Sequence, residues 1–78
     1  MNYYRHVVRF GEHMYTQLVL NDHKDGWTEM TAEECCGHLL AEVQELIRAV
    51  NLGRPLADIQ REAGDVGNFA MMITELYR

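Results

Sequence analysis

The stretch NLGRPL, Asn51 to Leu56, separates two long segments of helical character. Glycine is favoured just beyond the last turn of a helix, and proline is favoured at the start of the next one. Gly53 therefore predicts that one helix ends near Asn51, and Pro55 predicts that another begins near Leu56 and runs to the C-terminus. Because so short a connection folds one helix back on the other, we expect the two helices to be antiparallel neighbours.

Two further signals extend this helical pattern towards the N-terminus. Thr31 and Glu34 have the spacing of a capping box, which predicts that the second helix begins near Ala32. Before them, the turn-forming segment NDHKDGW (21–27) predicts a loop. The first helix is predicted over roughly residues 3–20 by apolar positions at helical spacing: Tyr4, Val7, Val8, Gly11, Met14, Tyr15 and Leu18.

These elements predict an all-α protein, an antiparallel helical bundle of about three helices in a single domain spanning residues 1–78. A chain of 78 residues buries only about 60% of the surface that its unfolded form exposes. We expect the apolar stripes on the first helix and on residues 69–76 to be covered in a homodimer or homotetramer. Gly11 lies on the first stripe and suggests a close helix crossing there.

Composition excludes several classes of protein. Twelve acids against seven bases give a net charge of −5, which argues against a nucleic-acid polymer as partner. The sequence has no apolar run long enough for a membrane span and no secretory signal pattern, so we expect a cytoplasmic protein without membrane contact. Cys35 and Cys36 are adjacent and make poor disulfide partners. The four histidines lack zinc-binding spacing.

Acidic residues occur in two pairs on the second and third helices. Glu42 and Glu45 are three residues apart, as are Glu62 and Asp65, so each pair lies on one helix face. The second pair falls on the arc of its helix that should face the core, where an unpartnered carboxylate costs several kcal/mol. In an antiparallel hairpin the pairs can meet, and four such carboxylates suit Mg²⁺ together with substrate phosphates.

The residues AEVQE (41–45) and EAGD (62–65) resemble the signature of the MazG-like all-alpha nucleoside triphosphate pyrophosphohydrolases, with Ala41 in place of the first acid. This resemblance implies that Glu42, Glu45, Glu62 and Asp65 bind Mg²⁺, with Mn²⁺ as a substitute. It also implies cleavage of a nucleoside triphosphate between its α and β phosphates, giving a monophosphate and pyrophosphate. Glu45 or Glu62 would orient or deprotonate the attacking water.

Substrate contacts are expected from the first loop and the third helix. The segments HKDGW and DVGNFAMMI resemble phage-type members of the family that act on dATP and dGTP. Asn68 is a candidate for hydrogen bonds to the sugar or a phosphate, with an inter-helix hydrogen bond as the alternative. In the loop, His23 is a candidate base contact, Lys24 would neutralise phosphate charge, and Trp27 would stack on a base or instead close the small core.

Two alternatives to this function stay open. One is a non-catalytic helical interaction or regulatory module of the same fold. The other is a pyrophosphohydrolase for a different nucleotide, such as dUTP or phosphoribosyl-ATP. Arg48, Arg54 and Arg61 are expected to form surface ion pairs and not phosphate contacts.

Overall fold

The computed structural model describes residues 1–21 and 29–77. Within these ranges the chain forms three helices and no strand: α1 (Tyr3–Leu20), α2 (Ala32–Asn51) and α3 (Leu56–Leu76). The predicted all-α class is therefore confirmed, and the predicted helix bounds agree with the structure. No helix in the described part of the chain is sufficiently long and apolar to cross a membrane.

The ends of α2 explain why the sequence located this helix so well. At its start, Thr31 Oγ1 accepts a hydrogen bond from the backbone N–H of Glu34, and the Glu34 carboxylate accepts one from the backbone N–H of Thr31, both at 3.1 Å. These bonds form the predicted capping box and lower the pKa of Glu34, chiefly through the backbone hydrogen bond of Thr31.

At the other end of α2, Gly53 adopts a left-handed conformation with φ of 64°. Its N–H donates to the Val50 carbonyl at 3.1 Å, and the N–H of Arg54 donates to the Ala49 carbonyl at 3.0 Å. This pair of bonds is the Schellman motif, which ends a helix and fixes the direction of the chain that follows. Pro55 then caps the start of α3.

Side-chain pairs between α2 and α3 give the register of the hairpin. The ring of His38 stacks on that of Phe69 with centroids 5.3 Å apart. Further along, Glu42 lies beside Asp65, and Glu45 lies beside Glu62. Residue numbers rise on α2 while they fall on α3, so the two helices are antiparallel, as the short connection predicted.

Helix α1 packs on α3, which is therefore the central element of the bundle. Asn68 Nδ2 donates to the Met14 carbonyl at 3.0 Å, and a Cβ on Gly64 would lie only 3.1 Å from the His13 carbonyl oxygen. The close crossing thus occurs at a glycine of α3. Within this chain the crossing suggested for Gly11 does not occur, because no described atom lies within 4 Å of a Cβ placed there.

The described residues contain only a small apolar core. Its buried members are Cys35, Ala49 and Met72. In contrast, the stripe on α1 is open to solvent: Tyr4 is 78% exposed, Val7 66% and Tyr15 69%. One chain leaves this stripe uncovered, as we expected, whereas the stripe over residues 69–76 is largely half-buried or buried.

Candidate metal centre at the junction of three helices

Four acidic side chains, Glu42 and Glu45 from α2 with Glu62 and Asp65 from α3, form an acid cluster in the hairpin. One carboxylate oxygen from each of Glu42, Glu62 and Asp65 lies within 4.8 Å of the others. All three residues are half-buried, whereas Glu45 is exposed and lies beside Glu42 and Glu62 at the solvent edge. The antiparallel register brings the two acid pairs together because each pair spans one helical turn.

Burial and mutual repulsion strongly affect protonation in the acid cluster. The pKa of Glu42 rises from 4.5 to about 7, first because the carboxyl is desolvated and then because of the negative charges of Asp65, Glu45 and Glu62. Desolvation also raises the pKa of Glu62, and a hydrogen bond with Glu45 adds to the effect. Arg61 opposes it. At neutral pH the cluster without a cation therefore retains protons that ordinary carboxyl groups would have lost.

Two oxygens of the acid cluster are buried without a hydrogen bond. No donor in residues 1–21 or 29–77 reaches Glu42 Oε2 or Glu62 Oε2. Buried polar atoms nearly always have a partner, and a missing one often indicates an ion or a water molecule. Because the ligand atoms are all carboxylate oxygens, the cluster fits a hard divalent cation such as Mg²⁺.

A glutamine that sequence reasoning did not select completes this arrangement. Gln17 on α1 is only 7% exposed, and its Nε2 donates to Asp65 Oδ1 at 3.2 Å. Asp65 is therefore contacted from α1 and faces Glu42 of α2, so it lies where the three helices meet. The sequence held only a weak indication that Gln17 belongs to the site. Gln17 falls three residues after Met14, on the face that packs on α3, but it is polar among apolar neighbours.

Asn68, a candidate substrate contact, lies one turn beyond Asp65 and is 4% exposed. Its amide nitrogen is engaged by the Met14 carbonyl, which is the inter-helix hydrogen bond considered as the alternative. Its Oδ1 is also buried and accepts no hydrogen bond from a described residue. The other candidate substrate contacts, His23, Lys24 and Trp27, lie outside the described residues.

The three arginines Arg48, Arg54 and Arg61 differ in whether they form ion pairs. Arg61 forms the expected ion pairs, with Asp58 at 3.4 Å and with Glu62 at 3.7 Å. Arg48 and Arg54 form no ion pair with any residue in the described ranges. All three line a cleft of about 300 Å³ at the hairpin end, whose other lining residues are Glu45, Ala49, Asp58 and Glu62.

In the part of the chain that the structure describes, the fold and the site define a small all-α protein with three helices and a cluster of carboxylates between them. Comparison of the chain with protein-family models, curated proteins and solved structures gives no match. The functional interpretation therefore rests on the side chains of the site itself.

Proposed function

We propose that this chain is a Mg²⁺-dependent pyrophosphohydrolase that converts a (deoxy)nucleoside triphosphate to its monophosphate and pyrophosphate. The observation that carries the proposal is the convergence of Glu42, Glu62 and Asp65 within 4.8 Å. Oε2 of Glu42 and Oε2 of Glu62 are buried there, and no donor in residues 1–21 or 29–77 reaches them. A group of acids this costly to assemble is retained most readily where a cation offsets the repulsion. Oxygen-only ligands favour Mg²⁺, with Mn²⁺ as a substitute.

The protein side chains have distinct roles in this proposal. Glu42, Glu45, Glu62 and Asp65 would hold the cation, which supplies charge neutralisation of the phosphates and a bound water of lowered pKa. Gln17 fixes one oxygen of Asp65 and so limits the rotation of that carboxylate. Glu45 is exposed at the solvent edge of the cluster and Glu62 lies half-buried beside it, and either would accept the proton of the attacking water.

The raised pKa values of Glu42 and Glu62 link cation binding to proton release. A carboxyl group must lose its proton before it can bind a metal ion. Because the pKa of Glu42 is about 7, binding at pH 6 must displace more protons than binding at pH 8. Affinity for Mg²⁺ and activity should therefore rise together across this range.

The proposal includes a homo-oligomer, supported by the exposed apolar stripe of α1. Purine deoxynucleotides such as dATP and dGTP are the proposed substrates, with contacts from Asn68 and from His23, Lys24 and Trp27 of the loop. The proposed compartment is the cytoplasm.

The test is release of pyrophosphate from a panel of nucleotides that includes dATP, dGTP, dUTP and phosphoribosyl-ATP, with Mg²⁺ and with EDTA. We expect Asp65→Asn to remove nearly all activity, because it replaces a charged ligand by a neutral one of equal size. Glu12→Gln, which changes an exposed acid on α1, should keep wild-type turnover. Circular dichroism would confirm that both variants are folded.

Three results would contradict the proposal. Release of orthophosphate would exclude cleavage between the α and β phosphates. Wild-type turnover in Asp65→Asn would exclude the acid cluster as the active site. Absence of pyrophosphate release from every nucleotide would favour the non-catalytic interaction module.

A further inference from the structure

The cleft at the hairpin end adjoins the acid cluster but differs from it in charge. Glu45 and Glu62 belong to both, so a ligand held by the cluster can extend directly into the cleft. Beyond these two acids, the cleft is lined by three guanidinium groups and by Asp58. Two of the acids in the cleft, Asp58 and Glu62, form ion pairs with Arg61. The third, Glu45, lies beside the other carboxylates of the acid cluster.

Two positive charges remain in the cleft without a partner among the described residues. Arg48 lies on the last turn of α2, and Arg54 follows the left-handed Gly53. The bond from the Arg54 N–H to the Ala49 carbonyl fixes the backbone of Arg54 against the same turn. Both guanidinium groups are therefore carried by one well-defined structural element. The formal charges of the whole lining cancel, since the three arginines stand against Glu45, Asp58 and Glu62, but the end of the cleft at the Gly53 turn is positive.

The chemistry of the cleft indicates its ligand. Guanidinium groups bind phosphate oxygens through paired hydrogen bonds, and they do so more specifically than an ammonium group. Two guanidinium groups that form no ion pair within residues 1–21 and 29–77 match the charge of a diphosphate better than that of a single phosphate. The N-terminus of α3 and the C-terminus of α2 both lie at this cleft, so their opposite dipole ends offset each other and the arginines supply the positive charge.

We propose that this cleft is a diphosphate-binding subsite, in which Arg48 and Arg54 hold the β and γ phosphates of the substrate and then the pyrophosphate product. This inference rests on the proposed function and adds the orientation in which the triphosphate binds. The triphosphate would lie along the α2–α3 groove with its distal end at the Gly53 turn. Its nucleoside would point away from the turn, past Asp65 and towards the Asn68 side of the cluster.

The test compares the double variant Arg48→Gln/Arg54→Gln with the control Arg5→Gln/Arg9→Gln. Both remove two positive charges, but Arg5 and Arg9 are exposed residues of α1 and do not line the cleft. Calorimetry with inorganic pyrophosphate in the presence of MgCl₂ gives the dissociation constant directly. Hydrogen bonds to charged groups predict a loss of about tenfold or more per arginine in the cleft variant. The control should change by less than about threefold, through long-range electrostatics alone.

Product inhibition distinguishes the diphosphate from other phosphate groups. In the cleft variant we expect KM for the triphosphate and the inhibition constant of pyrophosphate to rise together. Inhibition by the nucleoside monophosphate should be nearly unchanged, because its phosphate does not reach the cleft. Replacement of both arginines by lysine should restore part of the affinity, since it returns the charge without the paired hydrogen bonds.

The two proposals can fail separately. If the wild type hydrolyses nucleotides and the cleft variant matches the control in KM and pyrophosphate affinity, the subsite is wrong and the enzyme assignment stands. If no nucleotide is hydrolysed but pyrophosphate binds in a manner dependent on Arg48 and Arg54, the subsite stands and the enzyme assignment is wrong. Failure of the wild type to bind pyrophosphate overturns the subsite. Equal losses for pyrophosphate and orthophosphate would reduce it to a general anion site and overturn its diphosphate specificity.

Discussion

Replacement of Glu42 by glutamine should stabilise the protein without a cation, and only at neutral to alkaline pH. The pKa of Glu42 is raised from 4.5 to about 7 by desolvation and by the charges of Asp65, Glu45 and Glu62. Each pKa unit corresponds to about 1.4 kcal/mol, so this rise sets an upper limit of about 3 kcal/mol on the cost of the charged form. Because the side chain is only half-buried, solvent screening reduces the expected cost to about 1–2 kcal/mol.

The sign of the pH dependence follows from proton binding. Between pH 4.5 and about 7, Glu42 binds a proton more strongly in the folded chain than in the unfolded chain, so stability falls as the pH rises. The penalty is complete above pH 7. Glu42→Gln removes the charge at nearly constant volume, and its advantage over the wild type should therefore grow across this window and then level off.

Thermal melting in EDTA at several pH values between 4.5 and 8 measures this difference. In a domain of this size 1 kcal/mol shifts Tm by about 4–8 °C, so the variant should melt clearly higher than the wild type at pH 8. The control Glu12→Gln changes an exposed acid outside the cluster and should follow the wild-type curve. Added Mg²⁺ should raise Tm of the wild type much more than that of Glu42→Gln, because a ligand stabilises only the state that binds it. A gap between Glu42→Gln and wild type that is independent of pH would refute this reasoning.

Three further predictions concern packing, metal affinity and assembly. Gly64→Ala should destabilise the fold by about 1–2 kcal/mol, because its Cβ would lie 3.1 Å from the His13 carbonyl oxygen of a helix backbone that cannot easily move. Gly11→Ala, where a Cβ meets no described atom, should instead stabilise the fold by up to about 1 kcal/mol. Denaturant unfolding would measure both changes. Gln17→Leu should weaken Mg²⁺ binding about tenfold in calorimetry, because Asp65 loses the hydrogen-bond donor that orients its carboxylate. Unchanged affinity would show that the Gln17–Asp65 hydrogen bond has no such role. Light scattering should give a dimer or tetramer of the 9.1 kDa chain, and a monodisperse monomer at micromolar concentration would contradict the assembly that the α1 stripe predicts.

Local signals in the sequence were sufficient for the helix bounds and for the hairpin. The capping box at Thr31 and the left-handed Gly53 each act within a few residues, so their effect can be recognised without knowledge of the tertiary structure. The acid cluster could also be anticipated from local rules, because two pairs with one-turn spacing can meet once the hairpin is antiparallel. For the helix ends and the acid pairs, residues that lie close together in space are also only a few residues apart in the sequence or joined by one short turn.

The docking of α1 could not be predicted in the same way. The apolar pattern of this helix identifies its most hydrophobic stripe, but that stripe includes the exposed Tyr4 and Val7. The face that packs on α3 includes Met14, which belongs to this stripe, and the buried Gln17, which does not. A polar residue with a specific partner on another helix has no signature in the periodicity of its own helix. Gly11 did not identify the crossing within the chain for a related reason, since that close approach occurs at Gly64 on the opposite helix.

The close crossing at Gly64 links the packing of α1 to the chemistry of the acid cluster. Gly64 lies between Glu62 and Asp65 in sequence, and it allows the α1 backbone near His13 to come close to α3. This approach places Gln17 within hydrogen-bond distance of Asp65 and covers one side of the cluster. Glu42 and Glu62 lie in the same cluster, and desolvation by burial is the largest cause of their raised pKa values. The close approach of α1 therefore positions the Asp65 carboxylate within the cluster. A substitution that moves α1 outwards should consequently lower the affinity for Mg²⁺ even when every carboxylate is retained.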